Sequence, residues 1–247
     1  MVDIHFLGTG SAYPGSERDN TSICFSNGGY HVLIDVSGNP CRKLKQLQVD
    51  LSELDAVVFT HFHIDHIYGL PSLLWGMWLE DRKKPLRILC DYRNKKKLQD
   101  WLSTMEADKW PIAFPIEVET FDGDQEERLL SGGKMTFSCF KALHSVPTVG
   151  LEVQCADRLV VYSSDTEINE RIRRYDHIDL LIHEATSARK LAGNHSSLVE
   201  VVEKYDMEKI DEVVLVHLSD KEPYEEEVAR IGLSKVVIGE DLMTKRV

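Results

Sequence analysis

Thr60-His61-Phe62-His63-Ile64-Asp65-His66 is the stretch whose reading decides the fold of this chain. It directly follows the apolar run Ala56-Val57-Val58-Phe59, which reads as a buried strand. In an extended backbone, side chains at i and i+2 share one side, so His61 and His63 converge on one ion. A turn into a helix directly afterwards delivers Asp65 and His66 beside them, towards a second ion. Three imidazoles and a carboxylate within so short a stretch suit a borderline divalent metal such as zinc. The competing reading is a polar strand-to-helix turn whose histidines only satisfy local hydrogen bonds. It is disfavoured because candidate ligands recur downstream.

The composition is that of an ordinary soluble globular protein, with 43% hydrophobic and 28% charged residues among 247. That length is enough to bury a substantial core. No apolar run approaches the roughly 18 residues that span a bilayer, so no membrane partner is expected. Residues 1–7 read as a first strand and not as a signal peptide. The cysteines (Cys24, Cys41, Cys90, Cys139, Cys155) are odd in number, scattered and never spaced C-x-x-C. Reduced thiols, mostly buried, are the natural reading, and with them a cytoplasmic location. A formal charge of −12 argues against broad attraction to nucleic acid, though not against a local basic groove.

In chain order, strands are expected over residues 3–7, 21–26, 31–36, 56–59, 86–90, 116–121, 134–143, 149–155, 158–162, 178–182, 212–216 and 235–238. Helices are expected over 39–48, 67–79 (one helix or a pair), 95–107, 167–175, 196–205 and 222–231. The apolar segment with Leu73, Leu74, Trp75, Met77 and Trp78 reads as core, with a substrate lip or dimer contact as the alternative. The basic run Arg93-Asn94-Lys95-Lys96-Lys97 reads as a solvated face, with phosphate steering as the alternative. Strands crowd the first half, and strand and helix alternate later with no linker between. One layered α/β domain over residues 1–247 is the economical reading.

Four later residues share one feature: each follows an apolar strand, where α/β folds gather binding groups. They are His144, Asp165, His183 and His217. One such histidine is most often structural. Several of them, added to the cluster at 61–66, reverse that expectation.

HFHIDH matches the H-x-H-x-D-H signature, and the chain resembles the metallo-β-lactamase fold superfamily, closest to its ribonuclease Z and phosphodiesterase branch. Gly8-Thr9-Gly10-Ser11-Ala12 with Pro14 looks like that branch's opening loop, and Arg18 with Asn20-Thr21-Ser22 like its next element. Asp35, Ser164-Asp165-Thr166, His183-Glu184-Ala185-Thr186, His195-Ser196-Ser197 and Val216-His217-Leu218-Ser219 follow in the family's order.

The resemblance implies an αββα sandwich with two divalent metals at one edge, zinc first and manganese, iron or cobalt as substitutes. His61, His63 and His144 would hold one ion, Asp65, His66 and His217 the other, and Asp165 would bridge them. Asp65 thus counts as both ligand and catalytic residue. Glu184 and His195 fall outside both sets. In the similar nucleases the matching pair lies near the scissile bond, and the histidine protonates the leaving group. The competing role for His195 is a hydrogen bond at a helix start. His183 is expected as support behind the ligands, and His5, His31 and His177 as structural residues.

Two departures from the resemblance matter. Ribonuclease Z enzymes usually carry a Glu-Gly-Thr-Gln-type run after the third strand, and here the run is Ser37-Gly38-Asn39-Pro40. Many also insert a long arm that grips transfer RNA, for which the segment between His144 and Asp165 leaves little room. The leading expectation is therefore a phosphodiesterase that uses hydroxide supplied by two metals on a small or flexible phosphodiester, a cyclic or short nucleotide. The alternatives are a transfer-RNA 3′-processing endonuclease, a lactone, thioester or aryl sulfate hydrolase, and a non-catalytic metal-binding module. A homodimer is a further implication of the resemblance, with Trp75 and Trp78 at one candidate contact.

Overall fold

A computed structural model describes residues 1–189 and 193–247. The first half contributes β1 (Asp3–Gly8), β2 (Ser22–Asn27), β3 (Tyr30–Ile34), α1 (Pro40–Gln46), β4 (Leu54–Val58), α2 (Ile64–Ile67), α3 (Leu70–Leu79), β5 (Leu86–Asp91), α4 (Lys95–Thr104) and β6 (Ile116–Phe121). The second half contributes β7 (Glu127–Gly132), β8 (Met135–Lys141), β9 (Val149–Cys155), β10 (Arg158–Tyr162), α5 (Glu170–Arg173), β11 (Ile178–Glu184), α6 (Leu198–Lys204), β12 (Ile210–Val216), α7 (Tyr224–Ile231), β13 (Val236–Ile238) and β14 (Thr244–Arg246).

The strands assemble into two sheets, β14-β1-β2-β3-β4-β5-β6 and β13-β12-β11-β10-β9-β8-β7. Side-chain alternation explains why they stack. On β1 to β4, Ile4, Phe6, Ile23, Phe25, Val32, Ile34, Ala56 and Val58 point into the layer between the sheets. The residues in between, including Leu7, Cys24, Leu33 and Val57, pack against α1 and α3 residues such as Leu44, Leu73, Leu74 and Met77. The second sheet repeats the pattern: Val160, Tyr162, Leu180, Ile182, Val214 and Val216 face inward. Val161, Leu181, Val213 and Leu215 face Leu198, Val201 and Tyr224 of α6 and α7. Strands buried on both faces read as continuous apolar runs, as these do. The layering is αββα, as the resemblance implied.

Each sheet is antiparallel on one flank and parallel on the other. In the first sheet, β3 to β6 run parallel; in the second, β10 to β13 do. The carboxyl ends of these parallel strands meet at one edge of the sandwich, and the expected site residues lie there.

The chain departs from expectation at several elements. β7 and β14 were not expected, and Val236–Ile238 is therefore not the last strand. β7 is largely polar and pairs only with β8, at the edge of its sheet. β14 has three residues whose pairing with β1 links opposite ends of the chain, a contact no local pattern announces. Residues 167–175 form only the one-turn helix α5, because Glu167 N–H is already donated to Leu143 O and the helix starts at its Asn169 cap. Residues 67–79 form one helix, α3, preceded by the one-turn α2 that ends at Ile67. Leu73, Leu74 and Met77 are buried, whereas Trp75 is half-exposed against Trp78 and Trp110. All five cysteines are free thiols, four of them buried. No described helix is long and apolar enough to cross a membrane.

Candidate metal centre

β4 ends at Val58, the chain bends at Thr60, and an extended His63 caps the single turn of α2. That geometry projects His61 and His63 together and swings Asp65 and His66 alongside. His61 Nε2 and His144 Nε2 each lie 3.1 Å from His63 Nδ1. Asp165 Oδ2 is 3.7 Å from His61 Nε2 and 3.9 Å from His144 Nε2. On the other side, His66 Nε2 is 3.3 Å from Asp65 Oδ2, and His217 Nε2 is 3.6 Å from it. The same Asp165 Oδ2 lies 3.5 Å from His66 Nε2 and 3.3 Å from His217 Nε2. One carboxylate oxygen therefore faces both sets of imidazoles.

The donor set fits metal ions. Ligand nitrogens around a tetrahedral zinc sit about 3.3–3.4 Å apart, the edge of a tetrahedron with roughly 2.0–2.1 Å bonds; the spacings here bracket that value. His66 Nε2 and His217 Nε2 are buried without a hydrogen-bond partner. Buried nitrogens with no partner are costly unless something else takes their lone pairs. Burial and the neighbouring imidazoles push His61 and His63 towards the neutral form. At Asp65 and Asp165 burial opposes ionisation, but the nearby His66 and His217 rings outweigh it electrostatically and depress both carboxyls. Neutral imidazoles and ionised carboxylates are what a cation site requires. At His66 burial is outweighed by Asp165 and Asp35, which raise its pKa and mark a pocket of negative potential.

The other ring nitrogens are tethered. His66 Nδ1 lies 2.7 Å from Asp35 Oδ2, which also accepts from the Thr60 hydroxyl. Thr60 Oγ1 in turn lies 3.1 Å from His61 Nδ1. His144 Nδ1 donates to Asn194 O at 2.7 Å, and His217 Nδ1 lies 2.9 Å from Thr186 Oγ1. Such partners orient metal-binding imidazoles. Asp35, Ser164, Asn194 and His217 all have positive φ, between 53° and 63°. For Ser164 and His217, which disfavour this region, such backbone persists only where the surroundings hold it. The opening loop does part of the holding. His217 N–H donates to Thr21 Oγ1, Leu218 N–H to Thr9 O, and Ser11 N–H to Leu218 O. Gly8 is required there, because a Cβ would fall 2.0 Å from Asn20 O.

Glu184 ends β11, buried, and each of its oxygens accepts two hydrogen bonds. Oε1 takes Thr166 N–H (2.9 Å) and His195 Nδ1–H (2.8 Å); Oε2 takes the Thr186 N–H (3.1 Å) and hydroxyl (3.0 Å). The His195 ring stacks on His217 at 5.3 Å and stands 4.8 Å from His144. Burial lowers its pKa, but the Glu184 bond and charge, with Asp165 and Asp65, outweigh burial and raise it. A cavity of about 270 Å³ beside His144 is lined by Arg93, Asp124, Lys141, Ser145 and Thr148. A larger one, about 590 Å³, lies at the opposite pole among the chain termini, away from these groups.

All nine expected site residues thus meet at one edge. His183, expected behind the ligands, points the other way: it bonds Glu184 O and the Tyr205 hydroxyl in the helical layer. Strand alternation between His183 and Glu184 is the reason. His5 and His31 bond Thr244 and Ser26. His177 sits on the surface beside Asp179 and Asp211, and Asp179 is already engaged by Arg158. Thr60, Thr186 and Asn194 were not expected. Thr186 stood in a recognised tetrapeptide, but its role depends on partners 9 and 31 residues away. Between His144 and Asp165 the chain forms only the β9–β10 hairpin, so no arm is present there.

Fold and site together define a protein of the metallo-β-lactamase fold. A family model described as Anti-Pycsar protein Apyc1 matches residues 2–237, and the chain belongs to that family. Ribonuclease Z of Thermococcus kodakarensis is 26% identical over a 281-residue alignment that covers 92% of this chain and 87% of that protein. Among solved structures, the metallo-β-lactamase fold protein YhfI from Bacillus subtilis superposes with a TM-score of 0.82 at 21% identity, covering all of both chains. A diphosphatase of the PhnP family superposes at 0.81 with 17% identity, covering 100% of this chain and 98% of that one.

Proposed function

We propose that the protein is a metal-dependent phosphodiesterase with two divalent ions, zinc in the first instance, acting on a small or flexible phosphodiester such as a cyclic or short nucleotide. The observation that carries the proposal is Asp165 Oδ2, within 3.9 Å of a donor nitrogen on each side, with His195 stacked over the same cluster. His61, His63 and His144 would hold one ion and Asp65, His66 and His217 the other, with Asp165 available to both. The chemistry such ions would supply is charge withdrawal from phosphoryl oxygens and hydroxide near neutral pH. The chain's own residues do the rest. Glu184 keeps a proton on His195 Nδ1 and favours the imidazolium. His195 then passes its Nε2 proton to the departing oxygen as the P–O bond breaks, leaving an alcohol and a phosphate monoester. A curated relative named as a nuclease, ribonuclease Z, supports this bond type, and a neighbour of the same fold is named a diphosphatase, which also acts at phosphorus.

A second reading, cleavage of a transfer-RNA precursor, is supported by the curated relative's name. The β9–β10 hairpin, with no arm, weighs against it. Residues 1–247 act as one domain in this proposal, because the core between the sheets draws on both halves. The five reduced cysteines suit a cytoplasmic setting. The deciding experiment is a hydrolysis panel with metal-reconstituted protein: bis-p-nitrophenyl phosphate, a cyclic nucleotide, a transfer-RNA precursor, a lactone and an aryl sulfate. Turnover of the diesters is expected; turnover of the lactone or sulfate alone would overturn the proposal.

A further inference from the structure

One hydroxyl joins the general-acid pair to the second donor set. Thr186 Oγ1 lies 3.0 Å from Glu184 Oε2, 2.9 Å from His217 Nδ1 and 3.3 Å from His195 Nδ1. Counting protons fixes the tautomers. An ionised carboxylate only accepts. Glu184 Oε1, 2.8 Å from His195 Nδ1, therefore takes that nitrogen's proton, and His195 Nδ1 has no lone pair left for Thr186. Thr186 has a single hydroxyl proton. If it went to His217 Nδ1, the threonine oxygen and Glu184 Oε2 would face each other lone pair to lone pair at 3.0 Å. It goes to Glu184, and the threonine lone pairs are left facing His217 Nδ1, which must donate. His217 Nε2 is then the nitrogen left to offer a lone pair to an ion, buried and without a hydrogen-bond partner, 3.3 Å from Asp165 Oδ2 and 3.6 Å from Asp65 Oδ2.

We propose that Thr186 is a positioning residue that locks His217 in the Nδ1–H tautomer and so sets the affinity of the Asp65–His66–His217 site. The same hydroxyl holds the Glu184 carboxylate in register for His195. One side chain thus couples occupancy of the second ion to placement of the proton donor. The inference rests on the metal reading above, and its test separates the two. Thr186→Val keeps the shape and removes the hydroxyl; Thr186→Ser keeps the hydroxyl. In chelator-competition titrations with zinc, T186V is expected to hold one of the two ions roughly 10–100-fold more weakly. The other ion should stay near its native affinity, and T186S should behave like the native protein. Native-like affinity for both ions in T186V, or equal weakening in T186S, overturns the proposal. Long-range ¹H–¹⁵N spectra of the native protein, metal-free and zinc-loaded, read the tautomer directly and need no variant to fold. A proton on His217 Nδ1 is expected in both states, with or without a second proton on the Nε2 that faces Asp65 and Asp165 in the metal-free protein; a bare Nδ1 in either state overturns the proposal. Failure of the native protein to take up zinc would sink the two-ion reading, while the metal-free spectrum would still decide the role of Thr186.

Discussion

At the scale of single residues, the site divides its histidines by what holds the second ring nitrogen. His66 turns it to a carboxylate, His144 to a backbone carbonyl, and His217 to a hydroxyl. His195 differs because its Nδ1 partner is the buried, four-fold-bonded Glu184, which suits a group that carries a proton to substrate. Replacing His195 with Ala is expected to lower diesterase kcat by about 10²–10⁴, the usual weight of a positioned proton donor. Metal analysis of the same variant should still return two ions per chain. Loss of an ion would instead make His195 a ligand, a role its position beside Asp165 and His217 permits geometrically. The pairing of Glu184 with His195 was legible because each stands in a short run that matches the resemblance, His183–Thr186 and His195–Ser197. The tethers through Thr60, Thr186 and Asn194 were not, because each joins residues adjacent in space and not in sequence.

At the scale of elements, strand ends do the positioning. β4 and α2 form a strand-to-helix turn that places four donors, and β10, β11 and β12 bring Asp165, Glu184 and His217 to the same edge. β5 uses its end differently. Asp91 accepts from Arg93 N, Nε and Nη2 and from Gly123 N, which fixes the start of the segment leading into α4. Burial opposes ionisation of Asp91, but the Arg93 and Gly123 bonds outweigh it and depress its pKa. A depressed folded pKa adds stability above the unfolded value of about 3.9, and that stability is lost as pH falls through the folded pKa. Asp91→Asn is therefore expected to cost about 1–3 kcal/mol at pH 7. Urea melts at falling pH should show the gap to native narrowing only below the ordinary carboxylate range. A gap that is constant with pH would mean the carboxylate charge contributes nothing. The first turn of α4 carries Lys95, Lys96 and Lys97, all exposed and with no acidic residue beside them in that turn. Reversing all three to Glu should leave turnover of a small diester within about threefold of native, since steering effects of 10-fold or more need a substrate that reaches the patch. A fall of that size confined to a transfer-RNA precursor would favour the endonuclease reading instead.

At the scale of the whole molecule, the two sheets repeat one plan. In each, antiparallel pairing on one flank gives way to parallel pairing on the other, and the parallel strand ends meet at a single edge. Candidate ligands from both halves, His61 to His66 on one side and His144, Asp165 and His217 on the other, therefore meet at the same edge. Metal binding should then tie the halves together as well as activate water. Removing metal with a chelator is expected to lower Tm, and readdition of zinc to restore it, by about 2.7 kcal/mol of stability at a hundredfold excess over Kd. Calorimetry with and without chelator checks this, and an unchanged Tm would deny the coupling. The overall charge of −12 makes general attraction to a polyanion unfavourable, so recognition of a phosphodiester falls to the local groups around the site.

By itself the sequence determined which residues would gather at one edge and, through its resemblance to a known fold, in what layers the chain would pack. Local rules reach part of this: i, i+2 spacing predicts that His61 and His63 come together, and apolar runs long enough to be buried on both faces predict a layered α/β domain, while the αββα order came from the resemblance. Its order of motifs was enough to place His144, Asp165 and His217 in one site. Tertiary structure alone decided the rest. It made Asp165 Oδ2 face both donor sets, turned His183 away from the ligands and Glu184 towards them, and added β7 and β14 at the sheet edges. It also brought one threonine hydroxyl between His217 and Glu184. Each of these depends on through-space distance between segments far apart in the chain, a quantity that spacing along a strand or helix does not contain.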